Sequence, residues 1–383
     1  MSAPLLTRSG VPVVVNKTFL TQAEARAVPQ GDIQFAACTR CGFLSNLAFD
    51  SSIELYDDSY DNGQAGSARF RNHVTDMAHR VRSLLGDAGS VVEIGCGQAE
   101  FITEIVRDTS CTGIGFDPAY VGPLSRADGR VVLSPTIAPP SGARGDVVVS
   151  SHVVEHVSDP FELLVLHRDL ADADGVVVIE TPDALPIVNG QVFHDVFYEH
   201  CSLFTAQSFA WAAHRLGMTV RQANRVFDDW FLWTELVHGA APAPQSTTSS
   251  VPAVLAAMAA AEAAWVSAAS EFLAPTGHPR GVVVWGAAAK GSTFLHRCDP
   301  TASAVLAAVD LNLNKQGRFM VGTGHPIVPP EALLDLKPST IVVMNPSYGA
   351  EILATIRELG LSDIRVFGLG DASMFDEQYS VVV

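Results

Sequence analysis

The sequence predicts an α/β protein in three parts: a small N-terminal lobe, a central parallel sheet covered by helices on both faces, and a second, smaller α/β unit at the C-terminus. Two observations carry this. Short runs that are apolar throughout, SVVEI (90–94), TGIGF (112–116), RVVLS (130–134), DVVVSS (146–151) and GVVVIE (175–180), alternate with helical stretches. Strands without polar alternation belong to a sheet buried on both faces. After GAAPAPQSTTSSVP (239–252), a stretch of Pro, Ser, Thr and Ala without periodicity, the same alternation resumes on a smaller scale, which puts a domain boundary there.

Each element follows in turn. The first 66 residues hold little helical periodicity and many turn formers, with one C-x-x-C (Cys38, Cys41) and the tyrosine-rich ELYDDSYDNGQAGS, and so predict a small irregular lobe. Phe70, Val74, Met77, Ala78, Val81, Leu84 and Leu85 recur at three and four, predicting a helix over 68–85 that Gly86 stops. Further helices are expected over 101–106, 161–170 and 206–216, and β-like runs at 219–227 and 231–237 would close the sheet. An Ala-rich helix then runs to about Phe272, followed by GVVVW (281–285), a helix after Gly286, AVLAAVD (304–310), TIVVM (340–344), a helix over 352–359 and RVFG (365–368). The expected division is 1–66, 67–240 and 250–383.

Composition limits the function. Among 383 residues, 24 Lys and Arg face 41 Asp and Glu, a net charge of −17, and the cations are scattered singly, which argues against a nucleic-acid partner. With 48% apolar and 17% charged residues the chain can build real cores. No window approaches the roughly 18 uninterrupted apolar residues of a membrane span, and the N-terminus lacks the order of a signal peptide; the expectation is a soluble, cytoplasmic protein with no membrane partner. Six cysteines, at 38, 41, 96, 111, 201 and 298, are too few for a disulfide framework in so long a chain and predict reduced thiols.

The strongest motif is VVEIGCGQAEF (91–101), where a buried strand runs through Glu93, Gly95, Cys96 and Gly97 into a helix. Glycines there let a ligand approach the backbone. Asp117, at the end of the next strand, is placed to accept hydrogen bonds from two ribose hydroxyls. The third glycine of a dinucleotide site is missing, since Gln98, Ala99 and Glu100 follow; this moves the expected ligand from a nicotinamide dinucleotide to S-adenosylmethionine (SAM). A second cluster, Asp195, Tyr198, Glu199 and His200, follows the fifth strand and TPD (181–183), where loops face the ligand crevice. Histidine can remove a proton near neutral pH, a carboxylate can hold its tautomer, and a phenol can donate to an oxyanion. Such a set suits deprotonation beside a carbonyl.

These residues resemble the class I SAM-dependent methyltransferases, whose first motif reads E-x-G-x-G. The resemblance implies that Glu93, Gly95, Cys96 and Gly97 line the methionine side of the cofactor and that Asp117 with Pro118 holds the ribose. It further implies that SSHVVEHVSDP (150–160), with Ser151, His152 and His156, closes over the sulfonium. His152 and His156 do not form H-E-x-x-H, so zinc is not read there. Over its whole length the chain resembles the three-part C-methyltransferases of deoxysugar and related natural-product pathways, which carry a zinc lobe, a SAM domain and a C-terminal Rossmann-like domain. CTRCGF, YDDSYDN, EIGCG, YEHCS, WGAAAKGS (285–292) and DLNLNKQGRFMVGTGHPI (310–327) occur in that order. By that resemblance His200 is the base, Glu199 orients it, and Tyr198 with Tyr60 contacts the oxyanion or substrate.

The chain departs from that family in three places. Only Cys38 and Cys41 remain of the two C-x-x-C pairs, and residues 1–16 contain no Cys or His, which leaves a four-ligand zinc site in doubt. Phe197 stands where a tyrosine is common, and DDWFLW (228–233) replaces a Gly-Gly-Ser segment, an aromatic surface that would stack a flatter acceptor. WGAAAKGS reads two ways: a phosphate cradle with Lys290 as counter-charge, or a degenerate turn serving packing. The expected activity is methylation of carbon beside a ketone in a nucleotide-linked deoxysugar or similar small metabolite, by a monomer or homodimer. O- or N-methylation on the same scaffold is the alternative, followed by a nicotinamide oxidoreductase and a SAM-binding protein without turnover.

Overall fold

In the computed structural model, which describes residues 1–53, 60, 63, 66–240, 242–244 and 249–369, an eight-stranded sheet forms the middle of the molecule. Its order is Met218–Val226, Phe231–His238, Ala171–Pro182, Gly145–Ser151, Ser90–Ile94, Thr112–Phe116, Val131–Ser134 and Ser125–Arg126. The five strands from Ala171–Pro182 to Val131–Ser134 run parallel. Phe231–His238 is antiparallel to both its neighbours, because it forms a hairpin with Met218–Val226 across residues 227–230. Ser90–Ile94 has its sequence successor on one side and Gly145–Ser151 on the other. Strand order therefore reverses there, and a ligand crevice opens beyond the carboxyl ends at such a point.

Successive residues of each strand feed opposite cores. Val91, Val147, Val149 and Val178 join Met77, Val81, Ile102 and Ile105, while Val92, Val148, Val177 and Ile179 join Leu164, Phe209 and Leu216. This is why the strands read as apolar throughout. The helices Ala68–Leu85, Glu100–Val106, Pro160–Leu170 and Ala206–Leu216 fall where the periodicity put them, to within a residue. The C-terminal unit is a five-stranded sheet, all parallel, in the order Ile327–Val328, Val305–Val309, Val282–Trp285, Thr340–Val343, Arg365–Gly368.

The N-terminal lobe is more regular than expected. Leu6–Pro12, Gln30–Ala37 and Leu44–Asn46 pair antiparallel, and Ser202–Leu203 adds a fourth strand. In the first strand Leu6 and Arg8 point inward while Thr7 and Ser9 are exposed; the buried Arg8 is what disguises the alternation. Thr18–Phe19 pairs with Phe319–Met320 of the C-terminal unit, so the lobe is hydrogen-bonded to both α/β parts. All of YDDSYDN except Tyr60, and residues 241 and 245–248 of the expected boundary, lie outside the described residues.

The helix Val251–Leu273 is the one described helix long and apolar enough by composition to cross a membrane. Leu255, Met258, Trp265, Ala269 and Leu273 form its buried stripe, and Glu262 on the same stripe meets Arg8 Nε at 2.8 Å and Arg297 Nη2 at 3.0 Å.

Candidate active site

At the crevice the strand Ser90–Ile94 ends in a tight turn. Gly95 and Gly97 hold φ of 68° and 51°, a region that side chains with a Cβ avoid. A Cβ on Gly95 would lie 2.5 Å from Val153 Cγ2, whereas one on Gly97 would meet nothing within 4 Å. The turn thus packs closely against the 151–156 segment on one side and opens on the other. Asp117 is buried; its Oδ2 accepts from Gly97 N at 2.9 Å and its Oδ1 from Ala119 N at 2.7 Å, joining the glycine turn to the end of the strand Thr112–Phe116. Each carboxylate oxygen can accept more than one hydrogen bond. Pro118 beside it is exposed and Cys96 buried. Glu93 accepts from Ile102 N at 3.1 Å, and burial pushes its pKa up to about 8.

The ends of the strands Gly145–Ser151 and Ala171–Pro182 carry a buried polar network. Ser151 Oγ donates to Glu180 Oε2 at 2.8 Å, and His73 Nε2 lies 2.6 Å from Glu180 Oε1. His152, at φ 56°, puts Nδ1 3.2 Å from Glu155 Oε1, and Thr181 Oγ1 donates to Glu155 Oε2 at 2.9 Å. Burial works against the charge on Glu155, but the His152 hydrogen bond and the neighbouring imidazoles hold it at about 2. Burial works against the charge on His152, but the bond and charge of Glu155 together with the charge of Glu180 move it upward.

His200 enters the same space. Its ring meets His156 edge-on at 4.8 Å and Phe197 at 4.1 Å between centroids. Burial, then the nearby His156, drives the His200 pKa well below the usual 6.5, and burial lowers His156 as well. His200 Nδ1 is buried without a hydrogen-bond partner. Among the described residues, Glu155, His156 and His200 are the one group of three metal-capable side chains, with ligand atoms within 4.8 Å of one another.

Two expected site residues turn elsewhere. Tyr198 is fully buried; its hydroxyl accepts from Asp50 N at 2.8 Å and donates to Asp50 O at 3.2 Å. Its ring packs on Phe49 and over Gly31, where a Cβ would fall 2.3 Å from it. Tyr198 is thus a packing residue of the lobe, which corrects its expected place as an oxyanion or substrate contact. Glu199 Oε2 accepts from Val15 N at 2.7 Å, tying that carboxylate to the N-terminal segment; the carboxylate grouped with His200 is Glu155. Tyr60 is half-buried and its hydroxyl accepts from Asn16 Nδ2 at 3.1 Å. Cys38 and Cys41 are half-buried, and burial pushes the Cys41 thiol up to about 11. Among the described residues no third metal-capable side chain is grouped with them.

DDWFLW divides between core and crevice. Trp233 is fully buried, its indole N–H donating to Glu235 Oε1 at 3.0 Å, while Phe231 stacks on Phe227 at 5.1 Å and meets His152 at 4.4 Å. Lys290 Nζ sits 4.3 Å over the Trp230 ring, so that face is covered and the expected stacking surface shrinks. His73, Glu180, Thr181 and Cys201 were not singled out from sequence. Cys201 Sγ reaches Val157 O at 3.2 Å, buried beside the cluster. Glu180 carried the one available signal, an acid closing an apolar strand.

A methyltransferase domain model matches residues 68–223, and a C-methyltransferase C-terminal domain model matches residues 267–365. The C-methyltransferase NovU of Streptomyces niveus is 25% identical over 362 residues, covering 85% of this chain and 83% of NovU. Among solved structures, the 1,6-didemethyltoxoflavin-N1-methyltransferase of Burkholderia thailandensis aligns with 45% of this chain and 79% of its own, at 16% identity and a TM-score of 0.35. The plantazolicin methyltransferase BpumL covers 47% of this chain and 87% of its own, at 16% identity and a TM-score of 0.34. With a methyltransferase domain on the switched parallel sheet and a C-methyltransferase C-terminal domain following it on one chain, the protein is a SAM-dependent methyltransferase with a Rossmann-like, class I type of fold.

Proposed function

We propose that this enzyme methylates carbon beside a carbonyl in a small natural-product intermediate, with a nucleotide-linked 4-keto-6-deoxysugar as the acceptor class to try first, and that His200 is the base. The observation that carries this is His200 itself: neutral by burial, with Nδ1 buried and unpaired, and grouped with His156 and the anionic Glu155 at the carboxyl edge of the sheet. A buried polar atom without a partner is costly, and an acceptor would supply one. The C-terminal domain match and the resemblance to NovU support transfer to carbon. In the three-part reading, 1–66, 67–240 and 250–383, the second part carries the reaction.

Residues fit to hold SAM are the Gly95–Gly97 turn, open above Gly97, and Asp117 at the end of the strand Thr112–Phe116, with Ser151 and His152 on the facing segment. SAM supplies an electrophilic methyl on sulfur. His200 takes the proton from the carbon next to the carbonyl; the C–H electrons pass into the enolate. The enolate carbon would take up the methyl that bound SAM supplies, and the His200 imidazolium returns its proton to solvent. Glu155 favours the imidazolium that His200 becomes. Tyr60, on the lobe, is the phenol left for the carbonyl side.

Incubation with methyl-13C SAM and the keto sugar, read by NMR, should give a methyl carbon bonded to carbon. A label on oxygen or nitrogen instead would transfer the reading to O- or N-methylation with His200 deprotonating that atom.

A further inference from the structure

The C-terminal unit meets the catalytic segment through Lys290. Its Nζ lies 2.9 Å from Asp195 Oδ2, with side-chain exposures of 20% and 14%, and over the Trp230 ring. Asp195 closes the short turn Phe193–Asp195, five residues before His200. The segment is gripped at other points as well. The buried Arg8 guanidinium donates to Val196 O and, at 2.8 Å, to Phe193 O. Val15 N donates to Glu199, and Val15 O accepts from Ser292 Oγ at 3.1 Å. Lys290 and Ser292 sit on one helix, Ala289–Cys298, so that helix reaches the segment at both ends: at Asp195 directly and at Glu199 through Val15.

The phosphate-cradle reading of WGAAAKGS loses its donors here. Ala287 N donates to Asp310 Oδ2 at 2.8 Å and Ala289 N to Asn16 Oδ1 at 3.2 Å, while a Cβ on Gly291 would strike the Gly286 carbonyl oxygen at 2.0 Å. The turn's donors are taken by Asp310 and by Asn16 of the lobe, its glycine serves packing, and Lys290 pairs with Asp195.

We propose that Lys290 is a positioning residue for the base: its ion pair with Asp195, seated on Trp230, fixes the segment that presents His200, and this is what the C-terminal unit contributes to catalysis. The inference rests on the reading of His200 as base. Removing the cation would leave the largely buried Asp195 carboxylate uncompensated, a state that a protein relieves by moving the segment. A displacement of an ångström at the base is enough to cost about a hundredfold in rate.

The test uses the full chain with Lys290→Met, Lys290→Arg and Asp195→Asn. Three readouts apply: amide hydrogen exchange over 193–201, SAM affinity, and turnover of the nucleotide-linked 4-keto-6-deoxysugar. Lys290→Met should lose protection over 193–201 and about a hundredfold in kcat with SAM affinity unchanged, and Lys290→Arg should recover most of both. Should Lys290→Met misfold, Asp195→Asn, nearly isosteric, should show the same pair of losses. Wild-type protection in both Lys290→Met and Asp195→Asn would overturn the proposal, as would a defect confined to the acceptor's KM with protection intact. If the wild type does not turn over the keto sugar, the functional reading is what fails, while the hydrogen-exchange arm still decides the clamp.

Discussion

In the proposed mechanism His200 acts as a base only while neutral, and burial beside His156 holds its pKa well below 6.5. The acid limb of kcat/KM should therefore lie below pH 6.5, activity falling only as pH drops through the depressed value; a limb at or above 6.5 in a pH-rate profile would contradict this. His200→Ala should lose about 100-fold to 10,000-fold in turnover with SAM affinity kept. Asp117→Ala should instead weaken SAM about tenfold to a hundredfold by calorimetry, since charge-assisted hydrogen bonds are worth about 1.5–3 kcal/mol, and should also free the Gly97 and Ala119 N–H groups. At this scale the glycine turn and Asp117 were legible because they are local: a strand, a turn and the next strand's end. Tyr198 was not, because its direction is settled by Asp50, 148 residues away. Glu155 and Glu199 are both acids beside histidines in sequence, and only the packing of two loops tells which one joins His200.

Among elements, the parallel strands and their helices could be read almost to the residue, because burial on both faces leaves continuous apolar runs. The N-terminal sheet could not, because an inward-facing Arg8 and a partner strand borrowed from residues 202–203 leave no period-two pattern to see. The glycine turn shows what an element tolerates. Gly95→Ala places a Cβ at φ 68° and 2.5 Å from Val153; it should cost about 3 kcal/mol in denaturant unfolding and weaken SAM binding as the 151–156 segment shifts. An alanine variant with wild-type stability and affinity would mean the turn has slack that the close packing denies.

For the whole molecule, buried ionisable groups set the pH range of stability. Burial lowers His167 to about 4, so below 6.5 the unfolded chain binds a proton that the folded one refuses, worth about 3 kcal/mol by pH 4; His194 and His200 act in the same sense. Glu93, raised to about 8, acts oppositely: between pH 4.5 and 8 the folded state keeps a proton that the unfolded state releases, so stability falls as pH rises. Without SAM the thermal midpoint should be highest near pH 6.5 and decline toward both 4 and 8, as scanning calorimetry would show. In the sequence the two largely parallel sheets show as two alternating regions with a break between them. What the sequence hid is that the N-terminal strands pair with Ser202–Leu203 and with Phe319–Met320 and that Lys290 pairs with Asp195. The claim on which the rest turns is proton removal from carbon by His200. It is tested most directly by deuterium uptake at the acceptor carbon in D2O, with S-adenosylhomocysteine in place of SAM so that no methyl transfer competes. Wild-type protein should wash deuterium into the position beside the carbonyl and His200→Ala should not; exchange at the wild-type rate in the variant would contradict the account.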